Sequence, residues 1–181
     1  MTAFATVRLF SPIRISAVPQ SSGTLGICLT PPPANGGSEA GDLHFFEAAT
    51  GRELPDVLPR AQNGTGGGSA AWAPDSRSLF YTRYPRDQER PPEDRAFYLQ
   101  LYRHVLGTPA SADTYELGRD FPKIAEVAVQ TAANGVALVS MQKGDGGEFQ
   151  HYLRLLDGQW IQLTQYKDRV VQAELGEPGA D

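Results

Sequence analysis

The sequence predicts an all-β fold: a partial β-propeller of about three four-stranded antiparallel blades. Three observations carry this expectation. Short runs of β-forming residues alternate with turn signals along most of the chain, no segment shows a helical hydrophobic period, and the turns recur on a period of roughly fifty residues. The 19 glycines and 14 prolines among 181 residues supply the turns.

The first hairpin, AVPQSSGTLGICLT, runs from Ala17 to Thr30 and turns at Ser22-Gly23. The next, LHFFEAATGRELP, pairs Leu43 to Phe46 with Glu53-Leu54 across Thr50-Gly51, where a glycine accepts the positive φ of a tight turn. AAWAPDSRSLFYTRY then sets a short strand at Trp72, a Pro-Asp-Ser-Arg turn and a return strand from Leu79 to Thr82, rich in β-formers. FYLQLYRHVLGTP takes the outer position of that second unit. In AEVAVQTAANGVALVSMQ, Val127 and Val129 lead into Asn134-Gly135, two residues that both tolerate positive φ, and Val136 to Met141 return. HYLRLLDGQWIQLT, turning at Asp157-Gly158, closes the third unit.

Superposing the inner turns sets Ser22 on Ser76 and then on Asn134, steps of 54 and 58 residues. Four strands per period is the pattern of propeller blades. A β-sandwich is the competing architecture, because turn signals also recur there, every ~8–12 residues. The closing YKDRVVQAELGEPGAD reads as the first strand of a further blade. Since a closed ring has roughly 4–8 blades, the sequence is expected to be incomplete at its C-terminus, and at its N-terminus too. Leu25, Ile27 and Leu29 of the first hairpin, with Val170 and Val171 of the last strand, are expected on or beside the open blade faces.

Charge and composition exclude several function classes. A net charge of −5 and a pI near 5.2 argue against a nucleic-acid partner. Cys28, the single cysteine, rules out an internal disulfide framework and a cysteine-based zinc site. No apolar run approaches the ~20 residues of a membrane span. The first sixteen residues interrupt their apolar positions with Arg8 and Arg14, unlike a signal peptide. A cytoplasmic protein without membrane, metal or cofactor is expected.

GGSEAG at Gly36–Gly41 mimics a nucleophile elbow, but the elbow needs a strand before its serine and a helix after it. Here TPPPANGG precedes Ser38, the strand LHFF follows, and Ala40 replaces the final glycine, so a loop is expected. His44, His104 and His151 fall on outer strands of three different blades, too far apart to converge on a metal or a proton. They are expected to be half-exposed or bonded to backbone carbonyls. Asn63-Gly64-Thr65 fits a glycosylation triplet but is uninformative in a cytoplasmic chain. Gly64–Gly68 lacks the Lys-Ser/Thr of a phosphate loop and reads as a flexible connection into the Trp72 hairpin. PRDQERPPEDR (Pro85–Arg95) reads as a solvated inter-strand loop, with a salt-bridged rim or gating loop as the alternative. Phe45, Phe80, Tyr81, Phe97, Tyr98 and Tyr102 are expected in the inter-blade core. No catalytic residue is assigned.

Three segments resemble the propeller domain of the prolyl oligopeptidase family of serine peptidases. They are GGSEAGDLHFFEAATGRELPD; AWAPDSRSLFYTRYP with its continuation DRAFYLQLYRHVLGTP; and DFPKIAEVAV followed by MQKGDGGEFQHYLR. The succession FYTRYP, LYRHVLGT and Phe-Pro-Lys is the specific part. The resemblance covers roughly residues 17–176, leaving 1–16 unassigned and 177–181 as a truncated tail. It implies a seven-bladed propeller covering an α/β-hydrolase domain whose Ser-Asp-His triad cuts short peptides after proline. The propeller would limit entry to small peptides, and both the remaining blades and the hydrolase would be partners outside this sequence. The family also contributes propeller residues to a substrate subsite, and alignment carries these onto Gly67, Ala125 and Asp145. The apolar side chains expected there are absent, which implies either an altered subsite or a different alignment register. The chain alone is expected to be inactive. The alternative is a stand-alone propeller-type scaffold that binds peptides or proteins without catalysis.

Overall fold

The computed structural model describes the backbone of residues 16–20 and 23–30 and the whole of residues 40–176. The described strands form three separate four-stranded antiparallel sheets, each a meander in chain order. The first holds β1 (Ser16–Gln20), β2 (Gly23–Thr30), β3 (Gly41–Glu47) and β4 (Glu53–Gln62). The second holds β5 (Ala70–Trp72), β6 (Ser78–Arg83), β7 (Gln100–Val105) and β8 (Thr114–Leu117). The third holds β9 (Ala125–Thr131), β10 (Ala137–Lys143), β11 (Phe149–Arg154) and β12 (Trp160–Thr164). β5 packs against both β1 and β9, so the leading strands gather on one side, as blades do around an axis. The fold is a partial β-propeller.

The expected turns fall where the sequence put them. Gly51, Gly135 and Gly158 carry φ of 70°, 95° and 90°, and Ser76 carries 54°. One device recurs at all four: a short polar side chain caps the backbone two residues on, as Thr50 does for the Arg52 N–H at 3.2 Å. Asp75 accepts the Arg77 N–H at 2.9 Å, Asn134 that of Val136 at 3.1 Å, and Asp157 that of Gln159 at 2.9 Å. In the first hairpin Gln20 lies opposite Gly23, and the turn residue Ser22 lies outside the described residues. So do Gly36 to Ser38 of the elbow-like string, while Gly41 opens β3.

Strand alternation builds two cores, one between each pair of neighbouring blades. Leu43, Phe45 and Leu58 of the first blade meet Trp72, Leu79 and Tyr81 of the second. Phe80 and Leu101 of the second meet Val127, Val129, Val139 and Met141 of the third. β6 lies between two blades and is buried at every position. β9 covers one core and alternates strictly, with Glu126, Ala128 and Gln130 exposed.

Two sequence expectations fail. Phe97 and Tyr98 are not core residues: they lie half-buried in the β6–β7 connection. There Lys123 Nζ sits 4.6 Å from the Phe97 ring, and the Arg90 guanidinium 3.7 Å from that of Tyr98. Tyr98 has φ 59°, which breaks the strand period that its sequence neighbours suggested. The described part of the tail forms no strand either. A 3₁₀ turn at Tyr166–Asp168 is followed by residues without regular structure. A strand needs a partner for its N–H and C=O groups, and no described strand offers one there. Val171 is 64% exposed, whereas the side chains of Leu25, Ile27 and Leu29 lie outside the described residues.

Candidate functional site

In these meanders the β4–β5, β6–β7, β8–β9 and β10–β11 connections all emerge at the same end of the blades. Backbone hydrogen bonds stitch them into one rim: Tyr84 N to Arg60 O at 2.9 Å, Tyr98 N to Lys123 O at 2.9 Å, and Gly144 N to Ile124 O at 3.1 Å. The glycine run belongs to this rim and is close-packed at Gly66 and Gly68, contrary to the flexible connection expected from sequence, while Gly64 and Gly67 are exposed. A Cβ on Gly66 would lie 2.3 Å from the Ala125 carbonyl oxygen, and one on Gly68 would lie 2.4 Å from that of Ala61. Gly67 holds φ 66° and accepts the Tyr84 hydroxyl at 3.3 Å. Glycine is required because two backbones converge here, which a sequence does not display.

All three sequence-assigned subsite positions lie on this rim. Gly67 and Ala125 are brought together through Gly66. Asp145 stands exposed in the β10–β11 turn, whose Gly144 bonds Ile124 beside Ala125. Next to them is a cleft of about 220 Å³, bounded by linker residues 66–69, β9 residues 126–128, and Ser140, Gln142 and Phe149. Ala125 itself is buried, and neither it nor Asp145 lines the cleft.

The family profile described as the prolyl oligopeptidase N-terminal beta-propeller domain matches residues 34–177. The chain belongs to this family. Solved structures share the fold at low identity. One of two prolyl endopeptidases, solved in work on inter-domain dynamics in catalysis and specificity, superposes with a TM-score of 0.62 at 20% identity, over 84% of this chain and 22% of that one. Prolyl oligopeptidase B from Galerina marginata, bound to a 25mer macrocyclization substrate, gives 0.61 at 12%, over 82% and 22%. Oligopeptidase B from Leishmania major gives 0.57 at 16%, over 84% and 20%. The chain thus spans about a fifth of the length of the structures it matches.

Within this prolyl oligopeptidase-type propeller, His44 is half-exposed as the sequence suggested, whereas His104 and His151 are buried and bonded to side chains. His104 is fully buried, with Nδ1 2.7 Å from Asp113 Oδ1 and Nε2 3.3 Å from Asp56 Oδ1. The Tyr81 hydroxyl donates to Asp113. Arg86 donates to Tyr81 Oη at 3.0 Å and to the Ala110 carbonyl at 2.7 Å. Burial first, then Asp113, pushes the Tyr81 hydroxyl well above the usual tyrosine range. Asp56 comes from the first blade and also accepts the Gly107 N–H at 2.7 Å, so the cluster clasps two blades together. It has a base and carboxylates, but the side chains of His104, Asp113 and Tyr81 at its centre are buried, and its chemistry is that of a joint. His44 pairs with Glu53 at 2.6 Å in the open. His151 is buried, with Nδ1 2.7 Å from Thr164 Oγ1.

A second joint links the other two blades. Glu116 accepts Arg154 Nε at 3.0 Å and Trp160 Nε1 at 2.9 Å. The Pro85–Arg95 loop is exposed at 87–89 and 91–93, as a solvated loop is, and it is also pinned by ion pairs, as the salt-bridged alternative has it. Glu89 receives both prongs of the buried Arg83 at 2.7 and 3.0 Å, and Arg83 in turn lies over the Tyr102 ring. Sequence reasoning missed the partners that join blades because they stand far apart in the chain: 38 residues for Arg154 and Glu116, 48 for His104 and Asp56, and 51 for Gly107 and Asp56. Among the described residues no group of His, Cys, Asp and Glu is placed to hold a metal ion, and no helix is long and apolar enough to cross a membrane.

Proposed function

We propose that this chain is a propeller segment of a prolyl oligopeptidase-type serine endopeptidase and limits the access of short proline-containing peptides to an α/β-hydrolase domain. The observation that carries this reading is the stitched rim. It gathers the close-packed glycine linker, the salt-bridged Pro85–Arg95 loop and the positions Gly67, Ala125 and Asp145 beside one cleft at the leading strand of a blade. In this reading residues 17–176 form the propeller segment, flanked by 1–16 and 177–181. The partners are further blades and the hydrolase, and the site of action is the cytoplasm.

The chain alone should leave a chromogenic prolyl peptide intact, because the rim offers no nucleophile, base and oxyanion donors together. Joined to the remaining blades and a hydrolase domain carrying the Ser-Asp-His triad, it should restrict turnover to short peptides. Turnover by the chain alone that is lost in Ser38→Ala would overturn the assignment. Equal cleavage of short and long substrates by the assembled enzyme would refute the gating role.

A further inference from the structure

We propose that the free edge of β9 is a pairing site for an extended peptide that carries a basic side chain, with Val127 supplying the backbone bonds and Glu126 the charge. The inference rests on the peptide-handling reading above and names the chemistry of the same cleft.

The register shows which backbone groups face outward. Ala132 N bonds Val136 O at 2.9 Å, so the even-numbered residues of β9 exchange hydrogen bonds with β10. The odd-numbered residues therefore aim their N–H and C=O away from β10. Val129 confirms the phase, since its N–H goes to Ser69 Oγ at 3.1 Å on that edge. The Ala125 carbonyl is closed off by Gly66, whose Cβ position lies 2.3 Å from it. Between these two covered positions stands Val127. Its side chain is committed to the inter-blade core, yet Val127 lines the cleft, so what it presents there is backbone. Among the described residues its N–H and C=O have no partner, and such groups at a sheet edge are a template for one more strand.

The side chains around this edge set the preference. Among the described cleft-lining residues only Glu126 is charged; it is exposed and takes part in no ion pair with any of the described residues. Gln142 lies directly across from Glu126, and Phe149 directly across from Gln142, so an acid, an amide and an aromatic ring form one row on this face. A peptide residue pairing opposite Glu126 would place its side chain about 5 Å away on the same face. A lysine or arginine there meets the carboxylate and can lay its stem along the row.

The test uses the full chain and fluorescently labelled six-residue peptides, Nα-acetylated so that the amino terminus adds no charge, with a central lysine, glutamine or glutamate. Anisotropy titrations should rank lysine first and glutamate last. Glu126→Gln should weaken the lysine peptide by up to about fivefold, and Glu126→Lys should invert the ranking. N-methylation of the peptide amide that faces Val127 should cost about tenfold. A photo-crosslinker in the peptide should mark residues 66–69 and 126–128. Binding that ignores all three central residues, or crosslinks that map to another blade, would overturn the proposal. These readouts need no catalysis, so they fail or succeed separately from the peptidase assignment.

Discussion

His104 shows how much a single side chain can carry when two blades converge on it. Both ring nitrogens meet carboxylates, Asp113 within its own blade and Asp56 from the neighbouring one, with all three side chains removed from water. Truncating one member of such a cluster strands the others. His104→Ala should therefore destabilise the chain by about 3–5 kcal/mol in denaturant unfolding, and adding Asp113→Asn should recover part of that loss. If His104→Ala were as stable as the parent, the clasp would be ornamental. Gly66 makes a complementary case, in which the absence of a side chain is what matters. In Gly66→Ala the new methyl would meet the Ala125 carbonyl oxygen and the Tyr84 hydroxyl, at 2.3 and 3.0 Å. Backbone must move, and a loss of about 1–3 kcal/mol is expected. Gly51, whose Cβ position has open space, should cost less despite its φ of 70°.

At the scale of elements, two segments respond to pH in predictable directions. His151 sits in β11 with Nδ1 on Thr164, and Nε2 is buried without a partner among the described residues. Burial holds its pKa below the ordinary histidine value. The unfolded chain takes up a proton near pH ~6.5 while the folded chain resists it. The stability contribution is therefore complete above that pH and falls as the pH drops through the folded value. Denaturant melts between pH 7.5 and 5 should show this slope, and His151→Gln should flatten it. The Pro85–Arg95 loop responds in more acid solution. The Arg83 guanidinium holds Glu89 below the usual carboxylate range, with burial opposing and the Arg86 N–H assisting. That support is present above pH ~4.3 and is lost as the pH falls through the lower folded value. Hydrogen exchange of residues 85–95 should quicken over that range, and Glu89→Gln should show the fast exchange already at neutral pH.

The three blades together leave one sheet face without a neighbouring blade among the described residues. On the side of the third blade turned away from the second, Gln130, Leu138, Leu153 and Ile161 form one cross-strand row. Ile161 and Leu163 are 39% and 47% exposed. Leu138 of this row is itself buried, so the exposed apolar part lies at β12, and apolar side chains exposed there favour association. The chain of 181 residues is expected to scatter light at micromolar concentration as a species larger than one chain. Ile161→Lys combined with Leu163→Lys should shift it toward the monomer. A cooperative monomer in the parent chain would mean that this face is covered from within. The face is not uniformly apolar, for toward β9 it passes into Glu126, Gln142 and Ser140.

The blade period was legible because strand and turn chemistry is local. Asn134-Gly135, Asp157-Gly158 and Thr50-Gly51 each announce a reversal whatever surrounds them, and β9 announces its buried face by alternating Val127 and Val129 with polar residues. Even the family resemblance rests on such contiguous strings. What the sequence by itself could not decide is where a polar or glycine residue stands relative to a different blade. The Gly64–Gly68 run read as flexible until the Ala61 and Ala125 backbones were seen to close on it. His104 read as an ordinary strand histidine because Asp56 lies 48 residues before it. The final apolar pair, Val170-Val171, has strand propensity but no partner edge among the described residues, and propensity without pairing leaves backbone groups to water. Turns and alternation are set by neighbours in the chain, whereas joints, close approaches and free edges are set by the packing of one blade on the next.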